Sequence, residues 1–217
     1  MSTKKAEQAA KAQLTLELIA RTAIDIADEH GFEAVSMRRV AEALNVGTMS
    51  LYHYAPSKVD LVAAMDDLLM GEILLPVLPK SWKRALTDIA HQTLQMHRQH
   101  PWALVAMISA PPGLNALRHM EQCLEALAGT TMAARDKLTL LTTIDDLVFG
   151  HVLRTASTAA RPDRAFARQQ VATGAFPHLG DVMLKIGDER DEVRLDKGLK
   201  ALLDAAHKSQ SSPVGKS

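Results

Sequence analysis

The sequence has little of what several protein classes depend on. Its 217 residues include one cysteine, Cys123, so an internal disulfide framework is excluded and a reducing, cytoplasmic setting is expected. Aromatic residues make up 4%, with 2 Trp, 2 Tyr and 4 Phe. Strand-favouring side chains are thus scarce, while Ala, Leu, Met, Arg, Gln and Glu are plentiful, which predicts an all-α fold. No window of about 18 residues is both free of charge and able to span a bilayer, so no membrane-spanning helix and no membrane partner are expected. The opening MSTKKAEQAAK lacks the apolar centre of a signal peptide. Charge of either sign in excess is also missing, because 25 Lys and Arg balance 25 Asp and Glu. That balance excludes a protein that coats nucleic acid unspecifically, since such binding rests on neutralising phosphates. There is no internal repeat.

What is present is a globular composition, 47% hydrophobic and 23% charged, long enough for one large or two modest domains. The stretch 35–58, VSMRRVAEALNVGTMSLYHYAPSK, organises the rest. Apolar residues of helical period fill 14–30, with Gly31 as the stop and Phe32 as a core anchor. Ser36 caps a second helix over 37–44 with Val40, Ala41 and Leu44 inward. Asn45 tolerates the left-handed conformation of a tight turn, and Thr48 starts a third helix that ends near Tyr54, ahead of Pro56. Ser57 caps a fourth helix from Lys58 to about Ile73. Two short helices around a tight turn have the layout of a helix-turn-helix DNA reader.

A reader helix in the major groove presents short hydrogen-bonding side chains to base edges while an apolar side holds it to its own domain. Thr48, Met49, Ser50 and His53 face out and Leu51 faces in; Met49 suits a thymine methyl. Gly47 offers backbone only. Tyr52, Tyr54 and Lys58 reach flanking phosphates, as do Ser36, Met37 and Arg38 at the positive end of the second helix. The run AIDIADEHGFEAVSMRRVAEALNVGTMSLYHYAPSKVDLVAAM resembles the N-terminal DNA-binding domain of the TetR/AcrR family of bacterial transcriptional regulators, through Gly31-Phe32, the Val40-Ala41 to Leu44-Val46 core and Leu51-Tyr52-His53-Tyr54 to Lys58. The likeness covers about 14–65. It implies a homodimer on a roughly palindromic double-stranded operator, a helical domain that binds a small effector, and a repressor released by that effector, with the protein in the bacterial cytoplasm and at the nucleoid when on DNA.

Beyond the reader, LLPVLPK over 74–80 breaks the pattern and leads into a larger helical domain. Helices are expected over 82–100, 102–109, 113–128, 132–160 and 189–208, with a loop or broken helix around Pro162, Gly174, Pro177 and Gly180. The expected organisation is a reader over 1–58 with a flexible arm at 1–12, an effector-binding and dimerisation domain over 59–208, and a mobile tail over 209–217. HPWALVAMI, the long helix and RLDKGLKALLDAA look like the effector-binding half of the tetracycline-repressor branch, in which the long and last helices pair with their dimer mates. On that resemblance Leu141, Val148, Val152, Leu195, Leu199 and Leu202 are the candidate dimer face.

Met65, Met96, Trp102, Met107, Leu117 and Met120 are candidates to line an apolar effector cavity, with Cys123, Leu147, Phe149 and His151 beside them; ordinary core is the competing reading for each. The effector would be apolar or amphipathic, and no cofactor is expected. His97 and His100 have i, i+3 spacing, yet His91 lies too far along the same helix to complete a metal site, so no metal is assigned. Asp145, Asp146 and His151 lack a nucleophile motif, so no catalytic residue is assigned. The alternative to a regulator is a helical-bundle enzyme or carrier without DNA affinity.

Overall fold

The computed structural model describes residues 14–107, 110–156, 164–185 and 191–211. Among them are eleven α-helices and no strand. The expected arm at 1–12, most of the tail, and residues 108–109 and 157–160 of two expected helices lie outside the described residues, as does the Met107 side chain.

The first helices end where local chemistry tells them to. Helix α1 (Leu16–His30) starts at Thr15, whose hydroxyl accepts from the Leu18 amide at 3.1 Å, and stops at Gly31. A single 3₁₀ turn, Phe32–Ala34, leads to Ser36, which accepts from the Arg39 amide and caps α2 (Met37–Ala43). Asn45 takes φ 53°, the expected left-handed turn, and α3 (Thr48–Leu51) follows. Its regular part is shorter than the sequence suggests, since Tyr52 to Tyr54 continue as a turn in which the Tyr54 and Ala55 amides both donate to the Leu51 carbonyl. Ser57 caps α4 (Lys58–Glu72).

Contacts divide the chain after Thr130. No break falls at Lys58, because α4 packs along α1 on one side and against α7 on another. Helices α1 and α4 run antiparallel: Arg21 near the start of one pairs with Glu72 at the end of the other, while Phe32 after α1 lies under the Lys58 ammonium at 5.2 Å. Between them sits one core of Ile19, Ala23, Ile24, Val40, Leu51, Leu61, Met65 and Leu69, continued by Met96 and Ala103. The first unit is completed by α5 (Trp82–Gln99), α6 (Ala103–Met107) and α7 (Leu114–Ala126).

Two polar joints tie this unit together. At the C-terminal end of α1, the Asp28 carboxylate accepts from Trp102 Nε1 at 2.7 Å and pairs with His100 Nδ1 at 2.8 Å, while Trp102 stacks on Phe32 at 5.7 Å. On α4, Asp67 accepts from the Asn115 backbone amide at 2.7 Å and caps α7. Asn115 Nδ2 returns a bond to the Asp67 carbonyl at 2.8 Å, and Gln122 brackets the Leu75 backbone through both its amide groups. The approach is so close that a Cβ at Gly113 would lie 2.2 Å from an Asp67 carboxylate oxygen, so only glycine fits there.

The second unit holds α8 (Ala134–Ala156), α9 (Arg164–Ala172), α10 (Pro177–Lys185) and α11 (Asp191–Ser211). Helix α8 packs on α11, and α9 packs on α10. The stretch expected as a loop is two helices: Gly174, at φ 80°, ends α9 and Pro177 opens α10. Helix α11 runs three residues past the expected stop at 208.

Candidate nucleic-acid interface

Helix α3 is too short to be stable alone, so its outline depends on what pins it. Leu51 is fully buried and drives its inner side into the α1–α2–α4 core, a burial worth about 1.5–3 kcal/mol. The outer side is then set by geometry. Met49 is 74% exposed, unusual for a large apolar side chain, and Tyr52, His53 and Tyr54 are exposed beside it. Thr48 and Ser50 are half-buried at the flanks, and Gly47 stands at the N-cap. Ser36, Arg38 and Lys58 are exposed around this surface. Arg38 leans on Glu42 at 3.6 Å across one turn of α2, a solvent-screened pair that leaves the guanidinium free to turn to a phosphate.

Met37 departs from expectation. It is buried in the core with Val40 and Ala41 of the same helix, so only its backbone amide remains for a phosphate. Asp28, Trp102 and His100, which brace the reader from the far side, carry no local signal in the sequence, since they meet only through long-range folding.

Of the ten residues expected around an effector, seven lie in the first unit and three in the second. Met65 and Met96 are sealed in the reader core, and Trp102 is held by Phe32 and Asp28, so these three serve the joint between the reader and α5. Leu117 and Met120 lie exposed on α7, Leu117 at 62%, while Cys123 is buried on the same helix with its sulfur 3.9 Å from His119 Nε2. Leu147 and Phe149 are half-buried and His151 is buried in the second unit, with Leu147 against Gly198.

The residues expected at the dimer face lie on the paired helices α8 and α11. Leu141, Val148, Val152, Leu195 and Leu199 are already buried within a single chain, and Leu202 is half-buried. Two helices packed on each other consume one face of each, and α8 with α11 have done so. What stays bare is the other side: Leu138 at 50%, Leu153 and Val193. Along α8, Ala134, Arg135, Leu138, Thr139, Thr142 and Thr143 line an open groove. The Thr139 and Thr143 hydroxyls donate to carbonyls one turn back, which turns their polarity into the helix.

Two short helices around a tight turn, with the second pinned inward and presenting its far side to solvent, define a helix-turn-helix unit followed by a helical C-terminal region. Residues 13–65 match the tetR family of bacterial regulatory proteins, and residues 75–206 match the tetracyclin repressor-like C-terminal domain. The chain belongs to the TetR family of regulators. It is 36% identical over 143 residues to the HTH-type transcriptional repressor DrrR1 of Streptomyces coeruleorubidus, covering 64% of this chain and 53% of that protein. An HTH-type transcriptional regulator of Saccharopolyspora erythraea is 31% identical over 145 residues, covering 65% of this chain and 61% of that one. These alignments thus span little more than half of each relative. In solved structures, the Streptomyces coelicolor TetR family protein ActR in complex with actinorhodin superposes with a TM-score of 0.77 at 23% identity, over 92% of this chain and 99% of that one, a likeness of fold. The enzyme or carrier alternative finds no support among these matches.

Proposed function

We propose that the chain is a cytoplasmic, homodimeric repressor that reads a roughly palindromic operator and leaves it when a small apolar or amphipathic effector binds. The observation that carries this is the outward surface of α3 on a pinned scaffold: Met49 bare beside Tyr52 and His53, with Ser36, Arg38 and Lys58 around it. Met49 meets a thymine methyl, Thr48, Ser50 and His53 meet base edges, and Tyr52, Tyr54 and Lys58 meet phosphates. One such reader neutralises few phosphates, so two must act together, each half-site supplying the other with effective concentration.

The region up to Lys58 supplies the reader, and residues 59–208 supply effector binding and pairing. Dimerisation uses α8 and α11 through their bare sides around Leu138, Leu153 and Val193. ActR was solved with actinorhodin, which supports an organic effector here, and no metal or cofactor enters the scheme. The test is retention of genomic DNA fragments by the purified protein, followed by binding of the retained fragment to Tyr52→Ala and Lys58→Ala variants. Each variant should weaken binding about tenfold at equal salt; parent-like affinity in both would remove α3 as the reader.

A further inference from the structure

Two adjacent acids on α4 differ in a way the fold does not account for. Asp67 is fully engaged, capping α7 and meeting Asn115 Nδ2. Asp66 is 8% exposed, yet no described residue donates a hydrogen bond to it or pairs with it. A buried carboxylate in that condition is a standing cost to the native state, and folding alone would replace it with an apolar residue. Its oxygens are not among the sealed polar atoms that lack a partner, and Asp66 keeps 8% of its surface exposed, so some solvent still reaches the carboxylate.

Helical geometry says which side of α4 this is. The side toward α1 carries Leu61, Met65 and Glu72, and the side toward α7 carries Asp67 and Gly71. At about 100° per residue, Asp66 falls on the remaining side with Val62, Met70 and Ile73, so an acid interrupts an apolar surface. Burial, and secondarily Asp67, pushes its carboxyl up to about 6, the response of a group deprived of a counter-charge. No group of three metal-ligating side chains exists among the described residues, so Asp66 has no co-ligands for an ion.

We propose that Asp66 is the polar anchor of the effector site, and that the effector is an amphipathic molecule carrying a protonated amine. The inference rests on the repressor reading above. An amine on an apolar body supplies the missing charge and fills the apolar surroundings, which neither a bare cation nor a neutral hydroxyl compound does. Its position also explains control. Asp66 rides on the helix whose α1 side holds the reader core, so a ligand that binds Asp66 better in one placement of α4 shifts the placement of the reader.

The test uses the full chain, with naphthylethylamine and its uncharged counterpart naphthylethanol as probes, read by thermal unfolding and calorimetry. The amine should bind the parent at least about tenfold tighter than the alcohol, and Asp66→Asn should erase that preference. Without probe, Asp66→Asn should raise Tm by roughly 2–4 °C, whereas Asp67→Asn should lower it. Equal binding of both probes, an amine preference that survives Asp66→Asn, binding of neither probe, or a lower Tm for Asp66→Asn each overturns the anchor. Retention of DNA fragments by the same preparation separates the two claims, because a protein that holds DNA but ignores the amine loses only the anchor, and one that holds no DNA loses the repressor reading.

Discussion

The two units solve the problem of short helices differently. In the first, helices of four and seven residues survive because Ser36 caps the longer of the two, Leu51 buries the shorter, and one core gathers both against α1 and α4, which Thr15 and Ser57 cap. In the second, α8 and α11 are long and pair with each other, but their far sides keep Leu138, Leu153 and Val193 in solvent. The reader's core is closed around α1 and α4, whereas the second unit leaves one apolar side bare, which on the proposed pairing another copy covers. Stability of the reader is therefore internal, and on the proposed pairing its avidity depends on the other unit.

The sharpest way to break this contrast is at its two pins. Leu51→Ala leaves a void in the closed core and should lower unfolding free energy by about 2–5 kcal/mol in urea, with loss of DNA retention. Leu138→Glu with Leu153→Glu should leave each chain folded by circular dichroism but shift sedimentation to the monomer and weaken operator binding about a hundredfold. A dimer that persists in that double variant would place the pairing surface elsewhere.

Acidity probes each unit through a buried acid. Burial lifts Asp66 to about 6 in the first unit and Asp145 to about 6 in the second, with Asp67 and Asp146 adding to it. Both hold protons in the fold that the unfolded chain has released, so their contribution is complete below about pH 4 and is lost as pH rises to about 6. His97, lowered by burial and by His100 to about 4, acts in the opposite sense: its contribution is present above about pH 6.5 and is lost on acidification. Asp66→Asn should therefore improve stability at about pH 7 relative to about pH 4.5 by about 1–3 kcal/mol, measured by denaturant melts at both values. An unchanged difference would mean that Asp66 titrates as an ordinary surface acid. The smallest expected effect is Ser36→Ala, about 1 kcal/mol from one lost cap, confined to the first unit.

Much of the first unit was legible because its determinants are local. Ser36 and Ser57 as caps, Asn45 as the turn and Leu51 as the inward residue each follow from chemistry within a few positions, and the motif they form is specific. The second unit was harder to read. Helix α8 carries apolar residues around more than half its circumference, so the sequence offered two candidate inner faces, and periodicity alone does not say which of them packs on α11. Gly174 and Pro177 were legible as punctuation but ambiguous as to whether they interrupt one helix or separate two. The joints from Asp28 to Trp102 and from Asp67 to Asn115 link residues far apart in the chain, where periodicity has nothing to say. Asp66 did leave a trace, an acid on the apolar side of α4, visible once the flanking Val62, Met70 and Ile73 are set on a helix.

The chain has 2 tryptophans, and only Trp102 lies on the seam between the reader and the helices behind it. Its indole is stacked on Phe32 and bonded to Asp28, so its emission depends on how that seam is closed. With Trp82 replaced by phenylalanine, the fluorescence of one ring would track reader displacement in real time, giving the protein a built-in optical gauge of its own switching.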